Sequence, residues 1–142
     1  MVDVHSGQIQ GFFGPRVPVD NLEANLVAMN YFVEQKKFPL KEIAVISPDA
    51  GGVARAKNFQ ALLQSVGVKD TSLAMIIKQR QEAGKIGSMH LVGNVAGKQA
   101  IIIDDIIDTA GTLVEATKAL KANGALSVSC FATHGLFSGK AL

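Results

Sequence analysis

Four consecutive apolar residues, Ala100-Ile101-Ile102-Ile103, run into Asp104-Asp105-Ile106-Ile107-Asp108-Thr109-Ala110-Gly111-Thr112 and then Leu113. A short unbroken apolar run reads as a strand buried on both faces, as in parallel sheets. Two carboxylates stand at its C-terminal end, and a small-residue turn then opens a segment of helical periodicity. This order of strand, acidic pair, turn and helix start restricts the fold to βαβ-type units more than any other stretch does. It restricts the chemistry as well. Amides and the positive dipole end at residues 109–112 would hold a phosphate. Asp104 and Asp105 would repel one, and suit vicinal hydroxyls or Mg²⁺ instead. Phosphate-binding amides beside hydroxyl-accepting carboxylates describe a site for a sugar phosphate. An acidic strand end that merely caps a helix would explain a lone Asp-Asp pair. It does not explain the ordered set Asp104, Asp105, Asp108, Thr109, Gly111 and Thr112.

The rest of the chain alternates in the same manner. Residues 1–20 show neither period, because Gly7, Gly11, Gly14, Pro15 and Pro18 break them. Ile9, Phe12 and Phe13 are too apolar for a free tail and call for a surface in this domain or another. From Asn21 a helix is predicted with Leu22, Leu26, Met29 and Val33 inward, Asp20 or Asn21 as cap and Pro39 as stop. Residues 43–46 read as a buried strand. Val53, Ala56, Phe59, Leu63 and Val66 mark one face of a second helix closed by Gly67. Residues 73–77 read as a strand, 78–87 as a mobile charged loop, 89–92 as a minor strand and 93–98 as a turn. A helix over 112–123 carries Leu113, Ala116 and Leu120 inward and closes at Gly124, before a last strand over 128–133 and a loop from His134. The expected fold is α/β, a mainly parallel sheet flanked by helices with right-handed crossovers.

Ligands of such sheets gather at the C-terminal edges of the strands. Three polar constellations each directly follow a predicted strand and so belong on one rim. The first is the stretch 104–112. The second, Asp49-Ala50-Gly51-Gly52, is a further phosphate loop, whose glycines let successive amides approach an oxyanion. Asp49 would repel that oxyanion unless a divalent cation lay between them, so it reads as a Mg²⁺ contact. In the third, Lys78-Gln79-Arg80, two cations on alternate positions of an extended segment point the same way and can neutralise phosphoryl charge. His134 falls on the same rim without an evident partner, and His90 has no assigned role. Cys130 lies in an apolar run and reads as core. A single cysteine excludes an internal disulfide and points to a reducing compartment. A net charge of +2 offers no basis for a nucleic-acid or membrane-surface partner, and no apolar run is long enough to span a bilayer. The chain is expected to be cytoplasmic.

Taken in order, these motifs resemble one family, the ribose-phosphate pyrophosphokinases, across nearly the whole chain. Asp3-Val4-His5-Ser6-Gly7-Gln8-Ile9-Gln10-Gly11-Phe12-Phe13 is similar to the family's His-containing segment, and Pro18-Val19-Asp20-Asn21-Leu22 follows as it does there. Residues 14–17 look about two residues longer than the commonest form. Ser47-Pro48-Asp49-Ala50-Gly51-Gly52, Lys78-Gln79-Arg80, residues 104–112 and Thr133-His134-Gly135-Leu136-Phe137-Ser138-Gly139 match in order and spacing. The resemblance implies the phosphoribosyltransferase type I fold, with Mg²⁺-dependent transfer of pyrophosphate from ATP to ribose 5-phosphate. It further implies a homo-oligomer. His5 and Asp49 would contact magnesium, Asp49, Ala50, Gly51 and Gly52 would form the pyrophosphate loop, and Lys78 and Arg80 would be the catalytic pair. Asp104, Asp105, Asp108, Thr109, Ala110, Gly111 and Thr112 would bind ribose 5-phosphate. Gln10, Asp20 and Asn21 fall near positions that line an allosteric site in phosphate-regulated members.

Family members are about twice as long and carry two similar domains, and the elements that hold adenine have no match here. Residues 1–20 then read as an interdomain segment and 21–142 as a ribose-phosphate and pyrophosphate domain from a two-domain enzyme. As a separate piece it is expected to be inactive. Two other readings keep the same signature: a phosphoribosyltransferase that consumes phosphoribosyl pyrophosphate, and a non-catalytic regulatory or binding subunit of the synthetase.

Overall fold

The computed structural model describes residues 1–34, 40–79 and 88–142. Its strands are β1 (Ile43–Ser47), β2 (Thr71–Gln79), β3 (Ser88–Val92), β4 (Gln99–Ile107) and β5 (Ser127–Gly135). Three helices accompany them, α1 (Asn25–Glu34), α2 (Val53–Ser65) and α3 (Gly111–Ala122), and a 3₁₀ turn covers Gly7–Phe12. The sheet has the order β3-β2-β1-β4-β5. β1 runs parallel to both β2 and β4, β4 runs parallel to β5, and β3 returns antiparallel along β2. This is the expected α/β architecture, a mainly parallel sheet flanked by helices. Among the described residues no helix is long and apolar enough to cross a membrane.

The core explains why the central strands carry no polar alternation. Ile43 and Val45 share one face with Ile101 and Ile103, under Phe59 and Leu63 of α2 and Ala28, Met29 and Phe32 of α1. Ala44 and Ile46 share the opposite face with Ala100 and Ile102, under Ala116 and Leu120 of α3. Successive side chains go to opposite faces of a strand, so helices on both sides require apolar residues at every position.

Several sequence expectations are corrected. The first helix starts at Asn25, not Asn21, and buries Asn25, Ala28, Met29 and Phe32. Leu22 and Leu26, expected inside, are 62% and 56% exposed. The reason lies upstream. Asp3, buried with φ 42°, accepts a hydrogen bond from the Ala24 amide at 3.0 Å, so residues 21–24 follow the N-terminal segment rather than the helix. Neither Asp20 nor Asn21 caps α1; the Asn21 side chain accepts from Val4 N instead. Val66, expected on the inner face of α2, lies beyond its end and is exposed. Cys130 is exposed on β5, a strand with a neighbour on one side. β5 extends through His134 and Gly135, and His134 donates to Val2 O at 2.9 Å. Phe12 is 89% exposed, and Ile9, Phe13 and Val17 are exposed with it, so the segment's apolar side chains are not buried on this domain. Pro39, Arg80 and residues 81–87 of the expected loop lie outside the described residues.

Register places the site. β1 ends at Ser47, level with Met75 of β2, and its pairing with β4 ends at Ile46 opposite Ile102. β2 continues to Gln79 beside β3, and β4 continues to Ile107 beside β5. The central strand is therefore the short one at the C-terminal edge, with a notch above it walled by the overhanging ends of its neighbours. Chain direction from β1 also reverses here, towards β2 on one side and β4 on the other. Open α/β sheets bind ligands at such a switch point.

Candidate functional site

Two adjoining cavities fill the notch, of about 220 Å³ and about 240 Å³, sharing His5, Asp49, Asp104 and Asp105. The first adds Lys78 and residues 106–113, the second Gly51, Gly52 and Arg55. All three strand-end constellations thus converge as expected, apart from Arg80, which is outside the described residues. Gln10, Asp20 and Asn21 line neither cavity; Asp20 takes the terminal ammonium on its carbonyl at 2.8 Å. A larger, mostly apolar cavity of about 790 Å³ lies on the α1–α2 surface around Leu22, Leu26 and Leu62. It lies on a helix face away from the strand ends and lacks their convergent charges.

Asp104 and Asp105 directly follow the core residue Ile103 and lie inside the extended strand β4, not in a loop after it. Neighbours on a strand point to opposite faces, and the two carboxylates have different surroundings. Asp105 is 4% exposed, on the α1–α2 face with Ile101 and Ile103. Its Oδ2 lies 2.7 Å from His5 Nδ1 and 3.6 Å from Arg55 Nη2. Burial pushes its pKa upward, but hydrogen bonds from Asp104 and His5 and the Arg55 charge outweigh that, and the net shift is downward. Asp104 is pushed up to about 6, first by burial, then by its hydrogen bond with Asp105 and by the charges of Asp105 and Asp49. One carboxylate of the pair is firmly ionised, and the other titrates near neutrality.

This split has a testable consequence. A carboxyl whose pKa rises on folding adds stability in its protonated form, present in full below about pH 4 and lost as pH climbs through about 6. Asp104→Asn should raise the unfolding midpoint above neutral pH and leave it nearly unchanged near pH 4. A sugar hydroxyl needs the ionised form as acceptor, so affinity for ribose 5-phosphate should fall as pH drops through about 6. The ligand's phosphate protonates in the same range. Asp104→Asn retains that contribution, so the difference between the two pH profiles isolates Asp104. Parallel profiles would contradict the assignment.

After β4 the chain turns sharply. Ala110 adopts φ 60°, ψ 3°, the left-handed region, immediately before α3. Outside glycine, asparagine and aspartate this conformation costs about 1 kcal/mol, and such strain concentrates at ligand-binding turns. The turn brings the first residues of a helix of 12 residues to the wall of the cavity that residues 104–113 line. Lys78 reaches the same place from β2, donating from Nζ to Thr112 Oγ1 at 2.7 Å. Lys78 belongs to the strand, not to the loop expected there.

At the other loop Asp49 acts inward. Its Oδ1 accepts from the Gly52 amide at 3.0 Å, and Ser47 Oγ donates to its carbonyl at 2.6 Å. A Cβ on Gly52 would stand 2.9 Å from Ser47 Oγ, so glycine is required there for close packing. The Gly52 amide is thus engaged with Asp49, while Ala50 and Gly51 are exposed at the mouth. Among the described residues no three His, Cys, Asp or Glu side chains converge as a closed metal cage. Mg²⁺ that keeps its waters and takes ligand phosphate oxygens needs only one or two protein ligands. Asp49 and His5, walls of both cavities, fit that sparse donor set.

One site residue escaped the sequence reading, and so did one residue that fixes the segment carrying His5. Arg55 has no assigned role in the sequence reading, yet its guanidinium lies 4.0 Å from Asp104 and 3.6 Å from Asp105. A cation in the first turn of a helix opposes the dipole, and that was the available signal. Asp3 carried no signal, since its partners Ala24 and Thr133 are distant in sequence.

Comparison with known proteins agrees with this geometry. The family profile of the phosphoribosyl transferase domain matches residues 19–139. The chain is 44% identical to a ribose-phosphate pyrophosphokinase of Cereibacter sphaeroides over 141 residues, 99% of this chain and 40% of the relative. The crystal structure of phosphoribosylpyrophosphate synthetase from Mycobacterium smegmatis is similar at TM-score 0.80 and 37% identity, covering 99% of this chain and 42% of that one. A hypoxanthine phosphoribosyltransferase from Staphylococcus aureus, at TM-score 0.56 and 14% identity over 78% of this chain and 71% of its own, shares the fold alone. The chain spans about 40% of the length of the pyrophosphokinase it matches. By the extent of the profile match and by its sheet order, the chain belongs to the phosphoribosyl transferase domain family.

Proposed function

We propose that this chain supplies the ribose 5-phosphate and pyrophosphate half of a ribose-phosphate pyrophosphokinase site. The reaction is transfer of the pyrophosphoryl group of ATP to O1 of ribose 5-phosphate, giving 5-phosphoribosyl 1-pyrophosphate and AMP. One observation carries the reading: the β4–α3 junction presents a carboxylate pair and a helix N-terminus to one cavity, with Asp49 and Lys78 on its walls. Similarity to the pyrophosphokinases at 44% identity supports it.

In this reading the amides of residues 109–112 take the 5-phosphate, with Thr112 Oγ1 and Asp108 beside them, and Asp104 takes sugar hydroxyl protons. The loop Asp49-Ala50-Gly51-Gly52 receives the pyrophosphoryl group. Lys78 neutralises charge on it, with Arg80 proposed as its companion. Asp49 and His5 would hold Mg²⁺, which when bound supplies further neutralisation of the phosphoryl oxygens. Attack of a sugar hydroxyl on phosphorus needs alignment and charge compensation more than an activated side chain.

Titration calorimetry of the folded chain tests this directly. Ribose 5-phosphate should bind with a dissociation constant in the millimolar range or tighter. Ribose and inorganic phosphate alone should each bind at least about tenfold more weakly, because each engages half the site. Thr112→Val should weaken ribose 5-phosphate binding several-fold, about one hydrogen bond. No heat with ribose 5-phosphate, from a chain shown folded by circular dichroism, would overturn the proposal.

A further inference from the structure

We propose that Asp105 and Arg55 are positioning residues: Arg55 anchors the Asp105 carboxylate, Asp105 fixes the ring of His5, and Asp104 alone of the acidic pair accepts a sugar hydroxyl. The proposal rests on the ribose-phosphate reading above and divides the labour within that site.

Geometry carries it. The Asp105 side chain is 5% exposed, whereas His5, across a sequence separation of 100 residues, is 81% exposed. A buried acceptor at 2.7 Å from Nδ1 holds the exposed ring by one edge. Arg55 Nη2 approaches the same Oδ2, at 3.6 Å, so that oxygen already serves two partners before any ligand arrives. Arg55 is itself 19% exposed, and its Nη1 lies 4.0 Å from Asp104 Oδ1. A carboxylate this buried needs a counter-charge, and the guanidinium provides it. Asp104 is less buried and retains 21% exposure at the cavity wall.

The chemistry follows from the tautomer. A carboxylate that accepts from Nδ1–H leaves the Nε2 lone pair free and turned outward. Ring nitrogens that meet a cation or a ligand hydroxyl are commonly oriented by a carboxylate on their other edge. His5 and Asp49 line both cavities, so Nε2 is presented where the pyrophosphoryl group and its cation would lie. Arg55 has a role here that neither its helix position nor its burial alone would reveal.

Two readouts on the 142-residue chain test this. The first is the His5 ring tautomer, read above neutral pH by long-range nitrogen–proton correlation. Wild type should show Nδ1–H as the major form. In Asp105→Ala it should become the minor form, and Arg55→Gln, which retains the carboxylate but removes its anchor, should shift the ratio in the same direction. An unchanged ratio in Asp105→Ala would overturn the positioning role. The second readout is affinity for ribose 5-phosphate, 2-deoxyribose 5-phosphate and 3-deoxyribose 5-phosphate. Wild type should prefer ribose 5-phosphate over at least one deoxy sugar by about tenfold, a hydrogen bond to a charged acceptor. Asp104→Ala should collapse that preference to within about twofold, while Asp105→Ala should keep it even if all three sugars bind more weakly. Collapse in Asp105→Ala as well would overturn the division of labour and leave the ribose-phosphate site standing. Absence of sugar-phosphate binding in wild type would instead remove the site reading, with the tautomer readout still deciding the Asp105–His5 contact. Should Asp105→Ala fail to fold, Arg55→Gln decides: an unchanged tautomer ratio there overturns the anchoring.

Discussion

Assayed alone with ATP, ribose 5-phosphate, Mg²⁺ and inorganic phosphate, this chain should release AMP at least about a thousandfold more slowly than the Cereibacter sphaeroides pyrophosphokinase assayed beside it. The cleft holds carboxylates, a helix N-terminus and Lys78, but no Phe, Tyr or Trp and no slot for a purine among its described walls. ATP would be held by its phosphates alone. The reacting phosphorus would then swing over several ångströms relative to O1, and loss of such alignment costs several kcal/mol of barrier. The chain spans 40% of that relative, which leaves room in the longer protein for whatever fixes the adenine. Turnover by the chain alone within about tenfold of the relative would show that the ATP site is built from residues here assigned to structure.

Asp3→Ala should lower the unfolding free energy by about 2–4 kcal/mol, with a fall in midpoint of roughly 10 °C. Asp3 is 6% exposed, and its Oδ2 accepts from Ala24 N at 3.0 Å and from Thr133 Oγ1 at 2.5 Å. Those two contacts join the start of α1, the end of β5 and the N-terminal segment. Around them Asp3 N donates to Leu22 O at 2.9 Å and Leu22 N to Met1 O at 3.0 Å, closing a short parallel bridge between Val2 and Leu22. Removing the carboxylate strands two donors and frees the segment that delivers His5 to the cleft. Asp3→Asn should cost less, since an amide oxygen still accepts and asparagine tolerates the left-handed backbone. Chemical denaturation of the three proteins is the check. A loss below about 1 kcal/mol for Asp3→Ala would mean that the clip is not part of the cooperative fold.

Residues that form the sheet and its rim differ from those that act through tertiary contacts in how far the sequence reveals them. The sheet was legible because Ala44, Ile46, Ala100 and Ile102 on one face and Ile43, Val45, Ile101 and Ile103 on the other leave unbroken apolar runs. Asp49, Lys78 and residues 104–112 were legible because each follows such a run, and strand ends gather on one rim. Lengths of β2 and β4 were not, since pairing with β3 and β5 carries them past the apolar core into charged residues. The inner face of α1 was misread because Leu22 and Leu26 fit a helical period, while buried Asn25 does not look like a core residue. Its amide donates to Arg55 O at 3.1 Å, a tertiary contact that no local pattern announces. Asp3 and Arg55 act across gaps of 130 and 50 residues, to Thr133 and Asp105, and only the fold brings those pairs together.

Titration of ribose 5-phosphate into the ¹⁵N-labelled chain, followed amide by amide, tests the ribose-phosphate site most directly. The largest shifts should fall on Thr109, Ala110, Gly111, Thr112 and Leu113, with smaller ones at Asp104 and Asp105, and they should saturate together with one dissociation constant. Shifts gathered instead around Leu22, Leu26 and Leu62, or none at all at millimolar ligand, would contradict it.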